Sequence, residues 1–282
     1  MSRRNKKPKV RIGLILSYAA LIALVIIALY PIVWIVAASF REGTSLYSTE
    51  LFPRKITLDH YYELFTSKEY MYTRWYTNTL QVAFLTMIFT TTIVTISGYV
   101  LSRFRFGMRK TLLSSILILG MFPSFMSLTA IYVMLVQLKL YDNLYALVGI
   151  YSAGALMGSF QVKGFFDTIP KSLEESAKLD GASNFQVMRL IMLPLSKPLL
   201  VFIALTSFTG AWTDFILARL LIQTPEKQTL AVGLYDLVST VQTSNATLFA
   251  TGAVLIAVPI TVLFIVLQKY LVSGMMAGAE KG

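Results

Sequence analysis

Few side chains in this sequence could do covalent chemistry, and they are not spaced to do it together. Cysteine is absent and His60 is the only histidine, so cysteine nucleophiles, thiolate or imidazole metal clusters and a Ser-His-Asp triad each lack a component. A lone histidine in a polar loop reads as a surface residue. No Gly-x-x-x-x-Gly-Lys-Ser/Thr run occurs, so the chain has no loop of backbone N–H groups to cradle a nucleotide's phosphates. What the sequence does offer is a dense polar stretch, Asp167 to Pro198, whose residues suit helix ends and docking rather than bond making. Ser172 with Glu175 and Ser183 with Gln186 each have capping-box spacing, in which two side chains satisfy each other's orphan N–H groups at a helix start. Gly181 lies between them where a sharp turn is needed, Pro170 stands before the first helix and Pro194 closes the second. Phe185, Met188 and Met192 give this helix pair an apolar side suited to dock on a partner protein. An interfacial helix lying on lipid headgroups is the alternative.

The elements that must carry this stretch follow from hydropathy. Of 282 residues 56% are hydrophobic and 14% charged, and mean hydropathy is +0.66. The charges retreat into short blocks between long uncharged runs, the pattern of a chain for lipid. A crossing helix needs about 20 mostly apolar residues, because lipid satisfies no backbone N–H or C=O. The runs predict an all-α polytopic membrane protein with six spans, at about 12–40, 77–102, 111–138, 143–162, 195–217 and 246–268. The fifth span carries Lys197 and Asp214 near its ends, each placed to reach water. Pro31, Pro123 and Pro259 lie inside spans, and Pro123, mid-span after Met121-Phe122, is the candidate gating kink. Thr90, Thr91, Thr92, Thr95, Ser97 and Gly98 suit close helix packing.

Net charge is +11, yet the Lys and Arg residues flank apolar runs instead of covering one polar face, so they read as topology signals and not as a nucleic-acid surface. The basic N-terminus, residues 1–11, and the Arg103 to Lys110 block carry no acid. Both are expected in the cytoplasm, with both chain ends and the long connection 163–197 on that side. The apolar run after the N-terminal charges exceeds a signal peptide's roughly 7–15 residues and is read as an uncleaved span. Residues 12–282 then form one transmembrane domain.

Glu175-Ser176-Ala177, three residues, Gly181, nine residues and Ile191-Met192-Leu193-Pro194 resemble the EAA motif of ABC importer permeases, with Ser176 in place of the usual first Ala. The resemblance implies that Glu175, Ser176, Ala177, Asp180, Gly181, Ile191, Leu193 and Pro194 belong to a coupling helix seated in a cleft of the ATP-binding subunit. Tyr30-Pro31-Ile32-Val33-Trp34, Asn78-Thr79-Leu80, Tyr99 to Phe104, Ala211-Trp212-Thr213-Asp214-Phe215 and Thr229 to Leu234 are similar to the carbohydrate-uptake permeases, and the ending Gly274 to Gly282 to the MalG-type subunit of maltose and maltodextrin systems.

That family implies alternating access driven from outside the chain. Implied partners are a second permease, an ATP-binding subunit dimer that holds ATP and Mg, an extracytoplasmic solute-binding protein and the bilayer of the bacterial inner membrane. No cofactor or metal is expected in this chain and nucleic acid is not a partner. Maltose, maltodextrin or a related oligosaccharide is the implied substrate. Tyr47, Tyr61, Tyr62, Tyr70, Tyr72, Trp75 and Tyr76 could supply aromatic faces to a sugar, although an interfacial aromatic belt is the commoner use, and no substrate residue is named. A permease for another small solute is one alternative. An ion-gradient carrier is another; it would need ionisable residues at mid-membrane, which only Asp214 approaches.

Overall fold

A computed structural model describes residues 12–45, 50–67, 69–239 and 245–279. The basic N-terminus, Tyr47 and the last three residues lie outside the described residues. The chain divides into two compact units, one holding the residues up to Leu64 together with Leu237–Val254, the other holding Phe65–Asp236 and the residues from Leu255. The described residues form helices and one isolated bridge, Arg41 with Ile56.

In the first unit, helix α1 (Ile12–Ser39) is apolar on all sides, and every residue from Gly13 to Val33 is exposed. Only its end is packed. Ala37, Ala38 and Ser39 are buried, the Ser39 hydroxyl lies 2.9 Å from that of Tyr61, and Thr251 donates to the Ser39 carbonyl at 3.2 Å. His60, on the short helix α2 (Asp59–Thr66), is buried rather than a surface residue, and its Nε2 donates to the Arg41 carbonyl at 2.9 Å. Its role is to fasten the chain after α1.

The second unit is built on α3 (Tyr72–Arg103), which packs on α6 (Leu144–Ala153), α7 (Leu156–Thr168) and α11 (Lys197–Thr213). Small residues let these backbones approach. A Cβ on Gly98 would lie 2.6 Å from Val162 Cγ1, and Ser97 and Ser159 share a hydrogen bond at 2.6 Å, the close packing expected of this stretch. At the other end of α3, Trp75 Nε1 donates to the Pro225 carbonyl at 3.0 Å. Asn78 Nδ2 donates to the carbonyls of Glu226 and Gln228, each at 2.9 Å, and Thr79 accepts from Leu230 N at 2.7 Å. Two motifs about 150 residues apart therefore form one joint. Gly233, on α13 (Leu230–Asp236), is glycine because a Cβ there would sit 2.2 Å from the Trp75 ring. Tyr72 and Trp75 are buried, so neither is a surface belt residue.

Three helices, α1 from Gly13, α3 and α14 (Ala246–Ala279, as far as Leu271), are each long and apolar enough to cross a membrane unbroken. The count reaches six only if each of three bent pairs is one crossing. The stretch expected at 111–138 is broken rather than kinked. Helix α4 (Arg109–Gly120) and the helical run Phe125–Gln137, which includes α5 (Leu128–Gln137), meet at 95°. Pro123, extended at φ −60° and ψ 125°, has no N–H to continue the ladder. Helices α6 and α7 bend by 40° at Gly154, and α7 runs on to Thr168, past the expected end at 162. The stretch expected at 195–217 begins after an 80° bend at Ser196 and α11 stops at Thr213, with Asp214 extended behind it. The chain resumes as α12 (Ile216–Leu221).

The turn before α6 is locked to the far side of this unit. Asp142, at φ +57°, accepts from Gln223 N at 2.9 Å, Thr224 N at 3.0 Å and Lys227 Nζ at 2.8 Å, and from the Thr224 hydroxyl. Burial pushes its carboxyl up, but these donors more than offset that and hold it well below the usual carboxylate range.

Candidate functional site

The polar connection folds as a compact helical corner. Helix α8 (Lys171–Leu179) leads through Gly181 to α9 (Asn184–Val187), a widened turn over Met188–Met192 and the single turn α10 (Leu193–Leu195). One of the two capping boxes forms. Ser183 Oγ accepts from Gln186 N at 3.3 Å while Gln186 Oε1 accepts from Ser183 N at 2.8 Å. The Ser172/Glu175 box does not form, because α8 starts two residues earlier than that box requires, with Pro170 as its N-cap and no side-chain cap. Proline already fits there, since a helix's first N–H groups have no intrahelical carbonyl to reach.

The turn is specified by its backbone bonds. Ala182 N donates to the Ala177 carbonyl at 2.9 Å and Gly181 N to that of Lys178 at 3.0 Å, the paired bonds of a Schellman motif with Gly181 at the left-handed position, φ +86°. Nothing lies within 4 Å of a Cβ placed there, so the requirement for glycine is one of backbone angle alone.

This corner has an inner and an outer face. Ala177, Ala182, Val187, Met188, Ile191 and Met192 pack with Val94, Tyr99, Val162, Phe166, Ile169 and Ile203. Met192 is fully buried and Met188 half-buried, so of the three apolar residues expected to dock outward only Phe185 is exposed. The widened turn explains Met192. At about 4.4 residues per turn, positions five apart share a face, and Val187 and Met192 are both 0% exposed. The outer face presents Glu175, Ser176, Asp180, Gly181, Phe185 and Leu179, the last 89% exposed. Ile191 and Leu193 are half-buried and Pro194 exposed.

The residue that anchors the corner is Glu174. Its carboxylate pairs with Arg103 at the end of α3, and both side chains are nearly buried, 6% exposed for Arg103 and 7% for Glu174. Arg103 also donates to the Ile169 carbonyl at 3.0 Å and to Ser102 Oγ at 3.1 Å, and Ser102 donates to Asp167 at 2.6 Å. Tyr99 OH donates to the Asn184 carbonyl at 3.2 Å. These bonds join the last turn of a membrane helix to both short helices. Sequence reasoning took Arg103 as a topology charge and overlooked Glu174. The available signal was the Glu174-Glu175 doublet, since adjacent helical positions point about 100° apart and one of the two must turn inward.

Residues 91–277 match the family of binding-protein-dependent transport system inner membrane components. The galactooligosaccharides transport system permease protein GanQ of Bacillus subtilis is 43% identical over 273 residues, 96% of each chain. The maltodextrin transport system permease protein MdxG of the same organism is 41% identical over 95% of this chain and 96% of its own. A crystal structure of a bacterial ABC transporter involved in the import of the acidic polysaccharide alginate aligns with a TM-score of 0.79, covering 94% of this chain and 98% of that one at 23% identity, a likeness of fold.

Proposed function

The chain belongs to the family of binding-protein-dependent transport system inner membrane components, and from that premise we propose that it imports maltodextrin or a closely related oligosaccharide with a second permease, an ATPase dimer and an extracytoplasmic solute-binding protein. It is a non-catalytic, multi-pass membrane subunit of an ATP-driven sugar importer. The observation that carries the substrate class is that both relatives, matched along nearly their whole lengths, are named for the transport of galactooligosaccharides and of maltodextrin. Membership in the family also sets aside the ion-gradient carrier. ATP and Mg are held by the ATPase subunits, and Glu175, Ser176, Ala177, Asp180, Gly181, Ile191, Leu193 and Pro194 form the element that receives their motion.

The corner suits that task because it is stiff within and exposed without. The Schellman turn stiffens it internally and the Arg103–Glu174 pair and the Tyr99–Asn184 bond fix it to α3, so a push on Leu179 or Phe185 is passed to membrane helices instead of bending a loop. The Pro123 break is the proposed gating kink. Replacing Gly181 with Val forces a β-branched residue to positive φ at a cost of roughly 1–3 kcal/mol. Transport by the assembled complex is expected to fall about tenfold or more, that cost being equivalent to a tenfold shift at 1.4 kcal/mol. The spans should still insert. Normal uptake and normal ATPase retention in Gly181→Val would remove the coupling role.

Orientation is tested on the same cysteine-free background. We place residues 1–11 and both chain ends in the cytoplasm, with 163–197 on that side. An impermeant thiol reagent applied to intact cells is expected to label Ser48→Cys and to spare Met108→Cys and Ser183→Cys. Outside labelling of Met108→Cys overturns the arrangement.

A further inference from the structure

In the second unit, the helix interruptions at Gly154 and Asp214 and the turn after Pro123 border a cavity of about 600 Å³, within the size range of small-molecule sites. A carboxylate stands in it. Asp214 Oδ2 accepts from Tyr151 OH at 2.6 Å and from Ala218 N at 3.0 Å, while Oδ1 accepts from no described residue. The Ser207 hydroxyl, also on the wall, has no partner among the described residues either. The hydroxyls of Thr86 and Thr90 on the same wall are buried and have no partner among the described residues, and an acid beside unpaired hydroxyls in a membrane domain marks a ligand path. Asp214, near a span end, is half-buried, and two donors fix the direction of its carboxylate.

The surrounding chemistry narrows the ligand. Among the described residues no group of three or more His, Cys, Asp or Glu side chains could hold a metal ion, and hydroxyls line the wall beside Asp214 together with the ring of Phe125. Phe125 also borders a second hollow carrying the rings of Tyr132, Tyr141 and Phe215. Carboxylate and hydroxyl acceptors that share a cavity wall with the Phe125 ring match a polyhydroxylated ring whose O–H groups donate and whose C–H face stacks. Two adjoining hollows match a ligand of linked units.

We propose that Asp214, oriented by Tyr151 and joined by Ser207, is a saccharide-hydroxyl subsite that this chain contributes to the transport path. The assignment rests on the sugar-importer reading. A fixed carboxylate forms charge-assisted hydrogen bonds with sugar hydroxyls. It gives this chain a direct part in selecting the cargo, beyond lining the path.

Gly210 supplies a test that does not touch the acid. It lines the cavity, and a Cβ there would meet nothing within 4 Å, so Gly210→Leu projects into the space a sugar would fill. Gly149 is equally open but off the cavity, and Gly149→Leu is the matched control. The complete complex is reconstituted in vesicles with saturating binding protein loaded with maltotetraose, and sugar imported per ATP hydrolysed is measured, with assembly verified by co-purification. Asp214→Asn and Gly210→Leu are each expected to lower that ratio about tenfold, and Gly149→Leu to match wild type. Ser207→Ala, expected to lower the ratio severalfold, carries the test if Asp214→Asn fails to assemble. Wild-type import with ratios unchanged in Asp214→Asn, Ser207→Ala and Gly210→Leu overturns the subsite alone. A wild-type complex that imports no oligosaccharide overturns the importer reading and the subsite with it.

Discussion

Vesicles holding this chain alone are expected to show no maltodextrin uptake above background and no ATP hydrolysis, with both appearing once a second permease, an ATPase pair and a loaded binding protein are supplied. Nothing in the sequence can organise a triphosphate and its metal ion, since no phosphate-cradling loop is present. The corner from Lys171 to Leu195 exposes Leu179 and Phe185, a surface that accepts force from another protein but generates none. Polar groups around the Asp214 cavity also need cover within lipid, because a bilayer hydrogen-bonds none of them. The measurement is uptake of labelled maltodextrin with each component omitted in turn. Uptake by the lone chain driven by a proton or sodium gradient would sink the proposal.

Glu174→Ala is expected to be the most damaging single replacement in the corner, more so than Glu175→Ala beside it. Removing one partner of a buried pair strands the other charge, at a cost of about 3–5 kcal/mol. Arg103 is 6% exposed and could not find water without the corner coming away from α3. Less assembled protein in membranes and a lower unfolding temperature in detergent are expected. Glu175 is exposed, so Glu175→Ala should leave both unchanged while weakening retention of the ATPase. Exchanging both charges for apolar residues, Arg103→Met with Glu174→Leu, should restore much of the stability, since a well-packed apolar pair often equals a buried ion pair. Equal losses in Glu174→Ala and Glu175→Ala would contradict the anchoring role.

Hydropathy made the helical membrane character legible, and the spacing from Glu175 to Pro194 made the corner legible, because both rest on local rules. The capping box at Ser183 and the left-handed Gly181 were readable for the same reason. What escaped was long-range. Nothing local says that Arg103 meets Glu174 across 71 positions, or that Trp75, Asn78 and Thr79 hold the chain at 225–230. Breaks in apolar runs were also hidden, since composition measures whether a stretch suits lipid and not whether its backbone is continuous. Pro123 announced one break, but the one at Asp214 depends on bonds from Tyr151 and Ala218. Met188 and Met192 misled because a widened turn shifts the helical register that periodicity assumes.

The contrast between α1 and α3 bears on how the chain is made. The first helix, apolar on all sides and exposed from Gly13 to Val33, can leave the insertion machinery for lipid as soon as it emerges. Threonine-rich α3 buries Thr86, Thr90 and Thr95 against helices translated later, so for part of synthesis its polar stripe has no native cover. The ribosome must therefore deliver α6, α7 and α11 before the central helix reaches its final environment, and a pause or truncation between them leaves a nascent chain whose second span is the vulnerable one.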